Sequence, residues 1–263
     1  MKSFTIALMI VLSFSCLHAQ DTLLLSGMKN AKLLPVLWQQ HAAEYEALCY
    51  QAFNFATCRL NEMKLKRKIK YAIITDVDET VLDNSYYEAG QLLLGNEFDM
   101  QSWKRWTGKS SASALPGALR FFQLAHRKGV EIFYISNRDS TEVSSTIENL
   151  SRLNFPNADQ EHMLFLTGTS SKEPRRQAVA KNYQVIMMLG DNLNDFASVF
   201  EKKASDDRSR EVDRMKDEWG RLFIVLPNAT YGEWENALYD YSRKLSPSDK
   251  EITLKRKLIT SPQ

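Results

Sequence analysis

Tyr71-Ala72-Ile73-Ile74-Thr75-Asp76-Val77-Asp78-Glu79-Thr80 decides the fold of this chain: a short apolar run that ends abruptly in carboxylates. An unbroken run of this kind fits a strand covered on both faces, as in a parallel sheet between layers of helix. Four later runs share its character: Val130 to Ile135, Met163 to Leu166, Val185 to Leu189 and Leu222 to Leu226. Helical stretches fill the gaps. Pro116 to Lys128 opens on proline and stops at Gly129, the usual asymmetry of helix ends. Thr141 to Leu153, Lys172 to Asn182 and the heavily charged Asp195 to Trp219 fill the others. Parallel neighbours need a crossover, usually a helix, so this alternation predicts an α/β fold with a mostly parallel sheet.

Around this core the sequence predicts three further segments. Apolar and small residues from Leu37 to Lys64 recur at helical spacing and predict one long amphipathic helix. Cys49 and Cys58 on that helix would lie ~13 Å apart, too far for a disulfide, and are expected as buried thiols. No second Cys or His pair occurs further on at zinc spacing. The stretch from Asp83 to Pro116 is too long for a turn and carries Trp103 and Trp106, so a cap over the strand ends is expected there. From Lys244 onward the tail is rich in Lys, Ser and Pro and is expected to fray.

Lys2, the apolar stretch Phe4 to Phe14 and the ending Leu17-His18-Ala19 read as an export signal over residues 1–19. Its end admits two readings: cleavage after Ala19, or a lipid anchor on Cys16. Over 263 residues the chain is 44% hydrophobic and 25% charged, which excludes disorder and fibrous repeats. Its 34 Lys+Arg and 32 Asp+Glu are interspersed, leaving no broad basic field, so a nucleic-acid polymer is not an expected partner. A mature transmembrane span is not expected either.

Ligands of open parallel sheets sit beyond the carboxyl ends of the strands. Asp76 and Asp78 come after the first strand, Ser136-Asn137-Arg138 after the second, Thr167 to Lys172 after the third, and Gly190-Asp191-Asn192-Leu193-Asn194-Asp195 after the fourth. Four carboxylates converging on one edge repel unless a cation joins them, and a hard divalent metal, Mg2+, is the expected cofactor. A carboxylate beside that metal can attack phosphorus. An acid two residues on can protonate the leaving alcohol and then deprotonate water. Ser136 and Lys172 would hold the non-bridging oxygens.

These motifs resemble the four motifs of the haloacid dehalogenase superfamily, and more narrowly the class C non-specific acid phosphatases. The likeness extends to Glu44-Tyr45, Gln51-Ala52, Pro116-Gly117-Ala118 and Pro227-Asn228-Ala229-Thr230-Tyr231-Gly232-Glu233-Trp234-Glu235, and covers about residues 35 to 240. The resemblance implies a Rossmannoid parallel sheet flanked by helices with a smaller, mainly helical cap. It implies Asp76 as nucleophile and Asp78 as acid/base. Metal ligation would come from the Asp76 carboxylate, the Asp78 main-chain carbonyl and the Asp191 carboxylate, with Asp195 in support. Ser136, Asn137 and Lys172 become phosphate-binding residues.

The expected organisation is therefore a signal at 1–19, an N-terminal helical segment at 20–70 belonging to the cap, a core at 71–83 and 116–240, a cap insertion at 84–115, and a tail at 241–263. The expected activity is that of an exported, periplasmic or outer-membrane-associated phosphomonoesterase. Its expected substrates are nucleoside 5′-monophosphates and aryl phosphates, with Tyr87, Trp103 and Tyr231 as stacking residues; Tyr86, Trp106 and Trp234 are further aromatic candidates. The rival reading is a surface ligand-binding lipoprotein with a vestigial site. Only four histidines, His18, His41, His126 and His162, and no Cys-x-x-Cys-His are present, which gives little support to haem as that ligand.

Overall fold

The computed structural model describes residues 31–242 and 244–261. The expected export signal and Cys16 lie outside the described residues.

Five strands form one parallel sheet: β1 (Tyr71–Thr75), β4 (Val130–Asp139), β5 (Met163–Leu166), β6 (Gln184–Gly190) and β7 (Phe223–Val225), in the order β5-β4-β1-β6-β7. The intervening pair, β2 (Leu82–Asp83) and β3 (Ser113–Ala114), closes the base of the insertion as a short antiparallel ladder. Every residue of β1 is buried, as its unbroken apolar run requires of a central strand with both faces covered. Tyr71 and Ile73 face a large core shared with Phe53, Phe121 and Phe122, while Ala72 and Ile74 face a smaller one with Phe133, Ile135 and Val179. That split is the period-two alternation of strand side chains.

The N-terminal helix is two helices. α1 (Leu33–His41) and α2 (Ala43–Glu62) part at Ala42, whose ψ of 121° is extended. No proline or glycine marks the break, and alanine is a strong helix former, so local sequence does not signal it. The break lets the two helices take different neighbours. The insertion carries α3 (Ser85–Leu94) and α4 (Met100–Thr107); α5 (Ala118–Arg127) leads into β4, and α6 (Val143–Arg152) crosses from β4 to β5. α1 packs on α3, whereas α2 packs on α5 and β7. Of the two, α1 is the one that packs on a helix of the cap insertion. On α2, Cys49 is buried with Tyr45, Phe53, Ala56 and Leu60, but Cys58 is exposed. Nine residues at ~100° each place the two thiols on opposite faces, which corrects the expectation that both are buried.

Two other expectations change. The stretch from Asp195 to Trp219 is not one crossover helix: single 3-10 turns at Leu193–Asp195 and Ser198–Phe200 precede a helix of only ten residues, Ser205–Arg214. The tail holds a helix, Pro247–Lys257, rather than fraying. Ser246 caps it through the Asp249 N–H, proline opens its first turn, and Lys255, Arg256 and Lys257 close its last. These are the signals that favour a helix at each end. Among the described residues no helix is long and apolar enough to cross a membrane.

Candidate active site

The carboxyl ends of β1, β4 and β6 and the start of α7 (Glu173–Ala180) converge on a cleft of about 430 Å³. Asp76, Asp78, Ser136, Asn137, Lys172, Asp191 and Asp195 all line it, together with Trp103 and Tyr231 from the cap side. The strands place the first group directly. Asp76 continues β1, its N–H donating to the Leu189 carbonyl at 2.9 Å. Ser136-Asn137-Arg138 falls where the β4–β5 register shifts, between Ile135 and Asp139. An irregularity of that kind re-aims side chains at a strand end.

Two arginines of α7 fix the loops around it. Arg175 donates to the Ser136 carbonyl and to Asn137 Oδ1, both at 2.6 Å. Arg176 donates to the carbonyls of Asn194 and Asp195, both at 2.9 Å. The run Ser171-Lys172-Glu173-Pro174-Arg175-Arg176 thus does more than supply Lys172: it braces the irregular end of β4 and the loop after β6. Gly190 has a steric reason too. A Cβ there would lie 2.5 Å from Asp195 Cβ, so only glycine admits the Asp195 side chain.

Lys172 Nζ lies 2.6 Å from Asp76 Oδ1 and 2.7 Å from Asp195 Oδ1. Burial works against its charge, but Asp195 and Asp76 outweigh burial and raise its pKa. Asp195 has both oxygens engaged, the second accepting from the Asn192 N–H at 2.9 Å. It is therefore placed to hold Lys172 and the loop. Asp191 accepts from Asn228 Nδ2 at 2.8 Å, a partner contributed by the segment after β7.

Asp76, Asp191 and Asp195 each bring a carboxylate oxygen within 4.8 Å of the others. One ammonium cannot balance three carboxylates. Burial, aided by Asp195 and Asp78 and opposed by Lys172, pushes Asp76 up to about 7. Burial, with Asp195 and Asp76 beside it, pushes Asp191 well above the carboxylate range. Carboxylates that resist ionising for want of countercharge, all offering hard oxygen donors, suit a hard divalent cation.

Asp78 is held by groups whose roles the motifs do not reveal. Arg138, buried, donates through Nη2 to Asp78 Oδ1 at 2.7 Å and through Nε to both oxygens at 3.1 Å. Asn84 Nδ2 donates to Oδ1 at 2.8 Å. Glu79, 1% exposed with φ of 53°, accepts from the Asn84 N–H and from the Tyr231 hydroxyl. Burial raises its pKa well above the ordinary value, with Asp78 and Asp191 adding to the effect. Arg138 and Glu79 stand beside motif residues in sequence, which was the available signal. Asn84 carried none.

The aromatic candidates divide. Tyr231 and Trp103 line the cleft, but the Arg138 guanidinium lies 5.7 Å from the Trp103 ring centroid and covers one face. Tyr87 is not in the cleft. It packs edge-on behind Trp103, centroids 5.1 Å apart, with its hydroxyl bonded to Gln91 and Ser102, so it is a wall residue rather than a stacking surface. Phe98 and Met100, both half exposed, reach the cleft unforeseen, as does Lys32. Asn137 lines the cleft, but its amide is committed to Arg175 and to the Ser170 carbonyl.

Comparison with known proteins gives a consistent picture. A family model described as HAD superfamily, subfamily IIIB (Acid phosphatase), matches residues 21–234. Acid phosphatase 1 of Solanum lycopersicum is 30% identical over 131 residues, which cover 46% of this chain. The chain spans about half the length of that curated relative, 50%. The structure of the class C acid phosphatase from Bacillus anthracis superposes with a TM-score of 0.84 at 38% identity, covering 89% of this chain and 99% of that one. Its tungstate-bound form gives 0.83 at 37% identity, with the same coverage. With a family model matching most of its length, this chain belongs to the acid phosphatase family, subfamily IIIB of the haloacid dehalogenase superfamily.

Proposed function

We propose that this chain hydrolyses phosphomonoesters, with Mg2+, through a phosphorylated Asp76. The observation that carries the reading is the Asp76–Lys172–Asp195 array beside Asp191, at the floor of a cleft whose mouth is aromatic. Mg2+, held by the carboxylates of Asp76 and Asp191 and the main-chain carbonyl of Asp78 with Asp195 beside them, would supply positive charge for the phosphoryl oxygens.

The chain's own groups do the rest. A carboxylate oxygen of Asp76 attacks phosphorus; the Asp76 O–P bond forms as the bond to the leaving oxygen breaks. Asp78 gives that oxygen its proton, and in the second half takes one from the water that releases phosphate from Asp76. Lys172, whose pKa is raised, stays charged throughout and can shift from Asp76 to a phosphoryl oxygen as the ester forms. Ser136, buried at the cleft floor 3.4 Å from Asp78, supplies a hydroxyl to the same oxygens.

A cleft of about 430 Å³ is of the size that encloses a nucleotide-sized molecule. Tyr231 and Phe98 offer rings to a planar leaving group, which favours nucleoside 5′-monophosphates and aryl phosphates, while Trp103, buried against Arg138, Tyr87 and Phe98, backs them as part of the wall. The tungstate in the Bacillus anthracis relative is a tetrahedral oxyanion, in keeping with a phosphate-shaped site. Export to the periplasm or outer membrane rests on the signal-like residues 1–19. A vestigial binding lipoprotein finds no support in a site whose nucleophile, lysine and carboxylates are all in reach of one another. Hydrolysis of p-nitrophenyl phosphate, abolished by chelator, restored by Mg2+ and lost in Asp76→Asn, is the expected result; full activity under chelation would defeat the reading.

A further inference from the structure

Asp78 is gripped unevenly. Its Oδ1 accepts from Asn84 Nδ2 at 2.8 Å and from Arg138 Nη2 at 2.7 Å. Its Oδ2 has only the Arg138 Nε at 3.1 Å, shared with Oδ1, and the Ser136 hydroxyl at 3.4 Å. A carboxylic acid proton resides on the oxygen that is not already saturated by donors. Arg138 supplies one part of the asymmetry from the core, and Asn84 supplies the other from the insertion. Asn84 is fully buried, and its amide could face Asp78 with either end. Its Oδ1 accepts from Trp106 Nε1 at 2.8 Å, and an indole nitrogen can only donate. Trp106 therefore holds the oxygen end of the amide, and the NH2 end faces the carboxylates of Asp78 and, at 3.5 Å, Glu79. The Asn84 main-chain N–H is bonded to Glu79, which pins the residue from the other side.

We infer that Trp106 and Asn84 are positioning residues that reserve Asp78 Oδ2 for proton transfer, so that a cap tryptophan orients the acid/base of the core. This rests on the proposed reading of Asp78. In the first half-reaction the proton on Oδ2 passes to the leaving oxygen as its bond to phosphorus breaks, leaving Asp78 as a carboxylate. In the second, Oδ2 takes the proton of the attacking water.

The consequence is a dependence on leaving group. An oxyanion as stable as 2,4-dinitrophenolate departs without a proton, whereas phenolate or an alkoxide needs one. With saturating Mg2+, kcat/KM is measured for 2,4-dinitrophenyl phosphate, phenyl phosphate and an alkyl monophosphate in the wild type, Asn84→Ala and Trp106→Phe. Asn84→Ala is expected to lose about 100-fold on phenyl and alkyl phosphates but less than about 3-fold on the dinitrophenyl ester. Trp106→Phe, which keeps the ring and removes the donor, should show the same pattern at about 5- to 10-fold. In an Asp78→Asn background the Asn84 substitution should add almost nothing. A loss independent of leaving group in the two variants, or no loss in either, overturns the inference while leaving the phosphatase reading standing. Absence of Mg2+-dependent turnover in the wild type defeats the reading itself.

Discussion

The floor of the cleft and its roof are built by different rules. On the floor, Asp76 and Asp191 follow directly on β1 and β6, and Ser136 follows the last regular β4–β5 pair at Ile135, so hydrogen-bonded register sets their positions. On the roof, the residues of the 84–115 insertion and of the segment after β7 are placed by side-chain packing: Trp103 against Tyr87 and Arg138, Tyr231 against Glu79. Register tolerates little variation, whereas packing can be satisfied by several arrangements of the same aromatic residues. The chemistry should therefore fail completely when a floor residue is changed, and selectivity should shift by degrees when the roof is changed.

The most severe test of that contrast is Asp76→Asn. Loss of the nucleophile is expected to lower turnover by at least about 10⁴-fold with the circular dichroism spectrum unchanged. A folded variant retaining a few per cent of the wild-type rate would show that the floor is not where the chemistry lies.

Next is the metal. Asp191→Ala is expected to weaken Mg2+ binding by about 100-fold, read by calorimetry, without loss of fold. Equal affinity in variant and wild type would move the metal away from this cluster.

A third expectation comes from the Asp76 carboxyl, raised from its ordinary 3.8 to about 7 chiefly by burial. At acid pH it is protonated in both folded and unfolded chains and nothing is lost. As pH rises from about 4 to 7 the unfolded chain ionises first, so the metal-free fold loses stability, by at most about 4 kcal/mol. Urea midpoints in chelator should fall over that window more steeply in the wild type than in Asp76→Asn, and Mg2+ should offset the fall. Parallel slopes for the two proteins would show that Asp76 ionises normally.

The roof should give smaller, graded effects. Tyr231→Ala is expected to raise KM for a nucleoside monophosphate about 10-fold with kcat little changed, in line with ~1–3 kcal/mol per stacked ring. Tyr87→Phe, altering a residue behind the wall, should leave that KM within about twofold and lower stability by about 1 kcal/mol through its lost hydroxyl bonds. The reverse ranking would mean that substrate enters from the Tyr87 side.

The reach of the sequence divides along the same line. The apolar runs at Tyr71, Val130, Met163, Val185 and Leu222 reveal the strands because their side chains are largely buried, throughout in central β1 and less so in edge strands β5 and β7, and the residues just after each run must lie at the same edge. Asp76, Asp78, Ser136, Lys172, Asp191 and Asp195 were legible as one cluster for that reason, and the motif resemblance supplied their individual roles. Helix limits were less so. The break at Ala42 comes from α1 and α2 facing different neighbours, and no residue type records it.

The sequence by itself therefore determined the layered sheet, the carboxylate edge and the order of its motifs, because strand period and loop position are local properties. Tertiary structure alone decided which rings face the cleft, which oxygen of Asp78 is the less heavily bonded, and that Arg175 and Arg176 bond the protein's own main chain. Those outcomes join residues far apart in the chain, Glu79 to Tyr231 and Asp78 to Arg138. Contacts of that kind depend on the packing of whole elements, and no spacing along the chain encodes them.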